Sequence, residues 1–162
     1  MPQADEQLEQ YWAAVQRLEQ AGFDHYEISN WATPGHRSRH NLAGWQYRPY
    51  LGCGAGAHSM FRLDDGGSKR QWNVKAPQAY IKRVSQGLPV EAGSETLSAE
   101  RARGEAAMIG VRLLDGTSAP GLFPDQQRRL VAIGLLAEAA GSVRLTPRGI
   151  ELANQVGAAF LV

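Results

Sequence analysis

Four histidines and a single cysteine are the strongest ligand-forming side chains in this 162-residue sequence. His40 opens the run His40-Asn41-Leu42-Ala43-Gly44-Trp45. Neutral imidazole is a good axial ligand for porphyrin iron, and an indole offers apolar area on which a flat macrocycle can lie. A plainer role fits equally well, with His40 hydrogen-bonding a loop and Trp45 filling the core. His36 and His40 are four apart, a zinc-binding spacing on a helix. Pro34 and Gly35 argue against a regular helix there and no third ligand is near, so no metal site is assigned. His58 follows Tyr50-Leu51-Gly52-Cys53-Gly54-Ala55-Gly56-Ala57, in which three glycines alternate. Such glycines let a neighbouring backbone or a flat ligand approach closely. Gly52-x-Gly54-x-x-Ala57 has the form of a dinucleotide fingerprint, but it runs into a hairpin instead of opening a helix. Cys53, among small residues in an expected strand, reads as a buried small hydrophobe. No nucleophile–base–acid spacing is present, so no catalytic residue is assigned.

Composition narrows the field. The sequence is 43% hydrophobic and carries a net charge of +1 with the signs interspersed. A core can form, and nothing favours nucleic acid or a membrane surface as partner. One cysteine rules out an internal disulfide framework and fits a reducing compartment. Met1-Pro2-Gln3-Ala4-Asp5-Glu6 is polar and acidic, unlike a signal peptide. No apolar run approaches the ~20 residues of a spanning helix. The expected location is the cytoplasm.

Periodicity then supplies the elements. Leu8, Trp12, Val15 and Leu18 predict an amphipathic helix over 5–21, followed by a strand over 23–28. Tyr26 to Ala32 reads as a strand ending at Ser29-Asn30, and 33–39 as a polar loop. A second short strand is expected within 50–59. Segments 60–63 and 70–74 flank Asp64-Asp65-Gly66-Gly67-Ser68 as a hairpin, and 77–86 is a helix with Tyr80, Ile81 and Val84 on one side. Ser98 caps a helix through Leu114, with Ala102, Ala106, Ile109 and Leu113 as its buried stripe. Helix 123–133, hairpin 135–145 and a last helix begun by Thr146-Pro147 complete a winged-helix-like order. Winged helices often bind DNA, which raises a small regulator as a reading of another class. Arg128, Arg129, Arg144 and Arg148 are offset by Asp125, Glu138 and Glu151, so the basic stripe of a DNA reader is missing.

Several blocks together resemble the C-terminal part of HemW-type heme chaperones, relatives of the oxygen-independent coproporphyrinogen oxidases in the radical S-adenosylmethionine (SAM) superfamily. They are Tyr26-Glu27-Ile28-Ser29-Asn30-Trp31-Ala32, His40-Asn41-Leu42, and Tyr50 to Ser59. Trp72-Asn73-Val74 before Tyr80, Gly134-Leu135-Leu136, and Leu145-Thr146-Pro147-Arg148-Gly149 complete the set. The resemblance implies an α/β fold. Residues 1–92 would be the C-terminal part of a partial radical-SAM barrel, and 93–162 a helical winged-helix-like domain. It implies heme as ligand and an acceptor hemoprotein as partner, with His40, Asn41 and Trp45 in the family's His-Asn-x-x-Tyr-Trp heme motif. Gly44 stands where that motif has tyrosine. Ala57 and His58 fall where the oxidases pass beside the SAM adenine. Full-length relatives also hold a [4Fe–4S] cluster on a three-cysteine motif near the start of a longer chain, so the resemblance implies an N-terminal radical-SAM portion that this sequence does not include. The alternative within the superfamily is coproporphyrinogen oxidation.

A [4Fe–4S] cluster requires about three or four protein thiolates, and the chain has Cys53 only. The 162-residue chain should therefore take up no stoichiometric cluster and cleave no SAM reductively. Anaerobic reconstitution followed by iron and sulfide analysis of the monomer checks this.

Overall fold

The computed structural model describes residues 3–118, 123–139 and 141–161. By its contacts the chain separates into two compact units, Met1–Gln46 with Glu105–Leu161, and Tyr47–Gly104. This division does not follow the boundary expected at 92/93. That position lies inside a strand, Glu91–Leu97, whose Gly93 is paired with Trp72.

In the first unit, helix α1 (Ala4–Gln20) presents Val15 as its buried contact, with Leu8, Trp12 and Leu18 half-buried beside it. The strand expected to end at Ser29-Asn30 ends at Glu27, and the rest of the Tyr26–Ala32 block is the turn and second arm of a hairpin. Strand β1 (Asp24–Glu27) turns at Ile28-Ser29 and returns antiparallel as β2 (Asn30–Ala32), with a bulge between His25 and Glu27. The reason is local: the Glu27 carboxylate accepts from the Ser29 N–H at 3.2 Å and from the Asn30 carboxamide, which folds the chain back on itself. Helix α2 (Arg39–Trp45) follows the expected polar loop, and His40 lies in its first turn. Ser38 starts this helix by accepting the Asn41 N–H at 3.3 Å, a capping signal three residues after the Pro34-Gly35 break.

Further along, the first unit contains the order helix, helix, hairpin, helix that periodicity suggested. These are α4 (Ala99–Gly110, begun in the other unit), α5 (Pro124–Ala132), β6–β7 (Leu136–Ala139, Ser142–Leu145), α6 (Pro147–Glu151) and α7 (Ala153–Ala158). The expected last helix is broken at Leu152. Ala107, Val111, Leu130, Leu136, Val143, Val156 and Phe160 form the core, with Ile28 of the hairpin turn packed against it. Of the predicted stripe of α4, Ala102 is enclosed and Ala106, Ile109 and Leu113 are half-buried; Ala107, and Val111 just past the helix end, are enclosed as well.

The second unit is a three-stranded antiparallel sheet in the order β3 (His58–Arg62), β4 (Ser68–Asn73), β5 (Glu91–Leu97), with helix α3 (Pro77–Ser85) between β4 and β5. The hairpin at 60–74 is present. Segment 50–57 forms no strand and makes only a bridge from Tyr50 to Met60. Strand β5 has no sequence signature because Glu91-Ala92-Gly93-Ser94-Glu95-Thr96 is polar on both faces. The apolar side of α3 is not a core face, since Ile81 and Val84 are exposed. Cys53 is exposed in the segment before β3, contrary to the buried role expected of it. No helix of the described residues is long and apolar enough to cross a membrane.

Tyr11 ties α1 to the hairpin: its hydroxyl donates to the Ile28 carbonyl at 2.9 Å. Burial, reinforced by the Glu27 carboxylate, pushes its pKa up from 10.0 to about 12, against a smaller opposing pull from Arg112. The unfolded chain releases this proton at its ordinary value while the folded chain keeps it, so the stability contributed by Tyr11 is present below pH 10.0 and lost as pH rises toward about 12. Tyr11→Phe should therefore show a shallower loss of stability than the parent across that window, read from urea midpoints at about pH 9 and about pH 11.

Candidate functional site

The first candidate group is built on α2 and the β1–β2 hairpin. Glu27 is fully buried, and its carboxylate is satisfied within the turn by Ser29 and Asn30. His25 stacks on Trp31, with ring centroids 4.5 Å apart and planes 12° from parallel. The Tyr11 hydroxyl lies 3.4 Å from His25 Nε2. The hairpin is therefore a rigid aromatic ribbon. Arg37 anchors its base by pairing with Asp115 and, at 3.7 Å, with Asp24, while its guanidinium lies 5.6 Å from the Tyr26 ring centroid.

On α2 the three residues assigned to porphyrin do not share one environment. His40 is exposed, and its imidazole has no hydrogen-bond partner among the described residues. Asn41 and Trp45 are half-buried. Trp45 lies under Arg112, whose Cζ is 4.7 Å from the indole centroid. Gly44 is exposed, and a Cβ built on it meets nothing within 4 Å. His36 sits outside the helix, its Nδ1 3.0 Å from the Pro34 carbonyl oxygen. No group of three metal-ligating side chains occurs among the described residues.

The second candidate group, Ala57 and His58, belongs to the other unit. The glycine-rich segment before it is held by side chains. Asn73, buried on β4, donates its carboxamide to the carbonyls of Gly52 at 3.3 Å and Gly54 at 2.9 Å. The Gly54 N–H donates to the Tyr80 hydroxyl oxygen at 3.1 Å, and the Gly52 N–H to Ser59 Oγ at 2.9 Å. A Cβ on Gly52 would lie 2.0 Å from the His58 carbonyl oxygen, so only glycine fits there. Close backbone packing, one of the two uses open to these glycines, is thus present. The Ala57 N–H and carbonyl are both engaged, with Gly54 and Asn73. His58 is exposed, its ring 5.9 Å from that of Trp72.

Three participants escaped the sequence reading of the site: Glu27, Arg112 and Asn73. Glu27 had a signal, a charge inside an apolar strand two residues before a Ser-Asn turn. Arg112 had none, because its partners Trp45 and Ser29 are distant in sequence.

No family model matches the chain. The heme chaperone HemW of Mycobacterium tuberculosis is 35% identical over 158 residues, which are 96% of this chain and 39% of that protein. HemW of Bacillus subtilis is 32% identical over 173 residues, 99% of this chain and 44% of its own length. Among solved structures, the Escherichia coli coproporphyrinogen III oxidase HemN, described as a radical SAM enzyme, superposes with a TM-score of 0.67. It covers 99% of this chain and 42% of that one at 15% identity, a likeness that shows the fold. The chain thus spans about two fifths of the curated relatives it matches. The resemblance and the α/β class read from the sequence are both borne out.

Asn73 makes a sharp test of how the glycine segment is held. Asn73→Ala removes two hydrogen bonds to partly buried carbonyls and should cost about 1–3 kcal/mol. Asn73→Asp should cost more, because an ionised carboxylate donates nothing and faces the same two oxygens. Urea unfolding of the three proteins at neutral pH gives the order.

Proposed function

We propose, from the premise that this chain carries a HemW-like sequence over nearly its whole length, that it serves heme handling: it binds heme through His40 and passes it to an acceptor hemoprotein. Heme here is cargo. The observation that carries the reading is His40 itself, an exposed imidazole without a side-chain partner, fixed on a capped helix beside an open position at Gly44. An imidazole engaged in the core has to break bonds before it ligates iron, and one held open does not. Exposure also suits transfer, because an acceptor protein must reach the same iron.

The cluster chemistry of full-length relatives finds no ligand set here, since Cys53 is the only thiol. Contact of Ala57 and His58 with a SAM adenine is part of the same proposal. With both backbone groups of Ala57 engaged, that contact rests on its methyl group and on the His58 ring. Asn41 and Trp45 complete the proposed heme motif.

The test is a hemin titration followed by absorbance. His40→Ala should lose the axial-ligand spectrum and His58→Ala should keep it. Equal spectra from the parent and both variants would mean nonspecific adsorption and sink the reading. Gly44→Tyr places an aromatic ring one helical turn from His40 in unobstructed space, so it should tighten binding. It should also favour the helix by about 0.5 kcal/mol from propensity.

A further inference from the structure

Resting on the heme reading above, we propose that α2 works as a helix of two faces and that Arg112 is the positioning residue which clamps its inner face. Residues four apart on a helix lie one above the other, and residues five apart diverge by about 140°. His40 and Gly44 therefore share one face, and Asn41 and Trp45 share another. Exposure follows the same division: the first pair is exposed and the second half-buried. The heme motif thus separates into a ligand-presenting face and an anchoring face. Trp45 and Asn41 belong to the anchor and do not touch the macrocycle.

Arg112 is the group that receives the anchor. Its guanidinium carbon lies 4.7 Å from the Trp45 centroid, within stacking range. Arg112 Nε and Trp45 Nε1 are both buried without a hydrogen-bond partner among the described residues. The two side chains are therefore joined through the ring face and not by a hydrogen bond. A terminal nitrogen of Arg112 also lies 3.5 Å from Ser29 Oγ, at the hairpin turn. The arginine is itself fixed by its backbone neighbours: the Leu114 N–H donates to the Tyr26 carbonyl at 3.1 Å, and Leu113 bridges Glu27.

Helix α2 needs such a clamp. It has seven residues, none of them fully buried, and a helix this short does not persist on its own propensity. Lysine cannot replace the arginine, because an ammonium group lacks the flat face that lies against the indole. On this view His40 is presented because Trp45 is held.

Two measurements on the whole chain test this. The first is hydrogen exchange by mass spectrometry of the peptide covering residues 39–46, in the parent, Arg112→Ala, Arg112→Lys and Trp45→Ala. Each variant should exchange about fivefold faster there, the scale of one exposed cation–π contact, with the 58–73 hairpin unchanged. Should Arg112→Ala fail to fold by circular dichroism, Arg112→Lys decides. Exchange over 39–46 equal to that of the parent overturns the clamp. The second is hemin titration of Arg112→Ala, Trp45→Ala and the double variant. Each single variant should bind more weakly with the His40-dependent spectrum intact, and the double variant should lose no more than either single. Additive losses would make Trp45 a direct heme contact and overturn the two-face assignment. If the parent itself shows no His40-dependent spectrum, the heme reading fails, while the exchange experiment still decides the clamp.

Discussion

A polar backbone group removed from water must find a partner, and in helices and sheets the ladder supplies it. This chain changes direction in segments that have no ladder, and there single side chains supply it instead. Glu27 accepts the N–H of Ser29 and so closes the first hairpin. Asn73 holds two carbonyls of the glycine-rich segment. Thr146 donates its hydroxyl to the Gly134 carbonyl at 2.7 Å and accepts the Gly149 N–H at 3.0 Å, joining α5, the β6–β7 hairpin and α6 at one oxygen atom. Each arrangement fixes the local geometry because one side chain engages two partners: Glu27 accepts twice, Asn73 donates twice, and Thr146 does one of each. Replacing Asn73 leaves two half-buried carbonyls without this partner, and such a desolvation cost can exceed the net gain of an ordinary hydrogen bond.

The same arrangements explain why the resemblance to heme chaperones is distributed in short blocks. Gly52 to Gly56 meets Trp72-Asn73-Val74 and Tyr80 in space, and Gly134-Leu135-Leu136 meets Leu145 to Gly149. At Gly149 a Cβ would lie 2.0 Å from the Leu135 carbonyl oxygen, so the last block needs its glycine for the approach of the first. Blocks far apart in sequence are halves of one closure. They specify fold, which accords with a superposition over 99% of the chain at only 15% identity. The residues with chemistry to offer, His40 and His58, are exposed and contribute little to these closures.

A histidine freed from structural work is available to a ligand, but its position must then be maintained by others. On the function proposed here that task falls to the rigid hairpin and to Arg112. The hairpin is stiff because its aromatic residues stack across the strands and its turn is closed by a buried carboxylate. Such a support tolerates an exposed ligand residue better than a packed pocket does. The exposed group has lost no packing energy, and its helix is held from the opposite side.

The sequence by itself determined the two later hairpins and the helices other than α2 and the break at Leu152, because periodicity, capping residues and glycine turns act over a few neighbours. Val15, Val156 and Phe160 are buried as their spacing requires, and Thr146-Pro147 begins a helix as their chemistry requires. It also determined the relationship to heme chaperones, since the order of the blocks survives without any geometry. Tertiary structure decided the rest. Residues 26–32 became a hairpin because Glu27 captured the turn, a competition that alternation does not record. Strand β5 formed from polar residues because β4 offered a free edge. Trp45 was assigned to the same surface as His40 by adjacency in the motif. The helix separated them because side chains five residues apart diverge by about 140° around the axis, and Arg112, more than sixty residues away in sequence, packs on the Trp45 side.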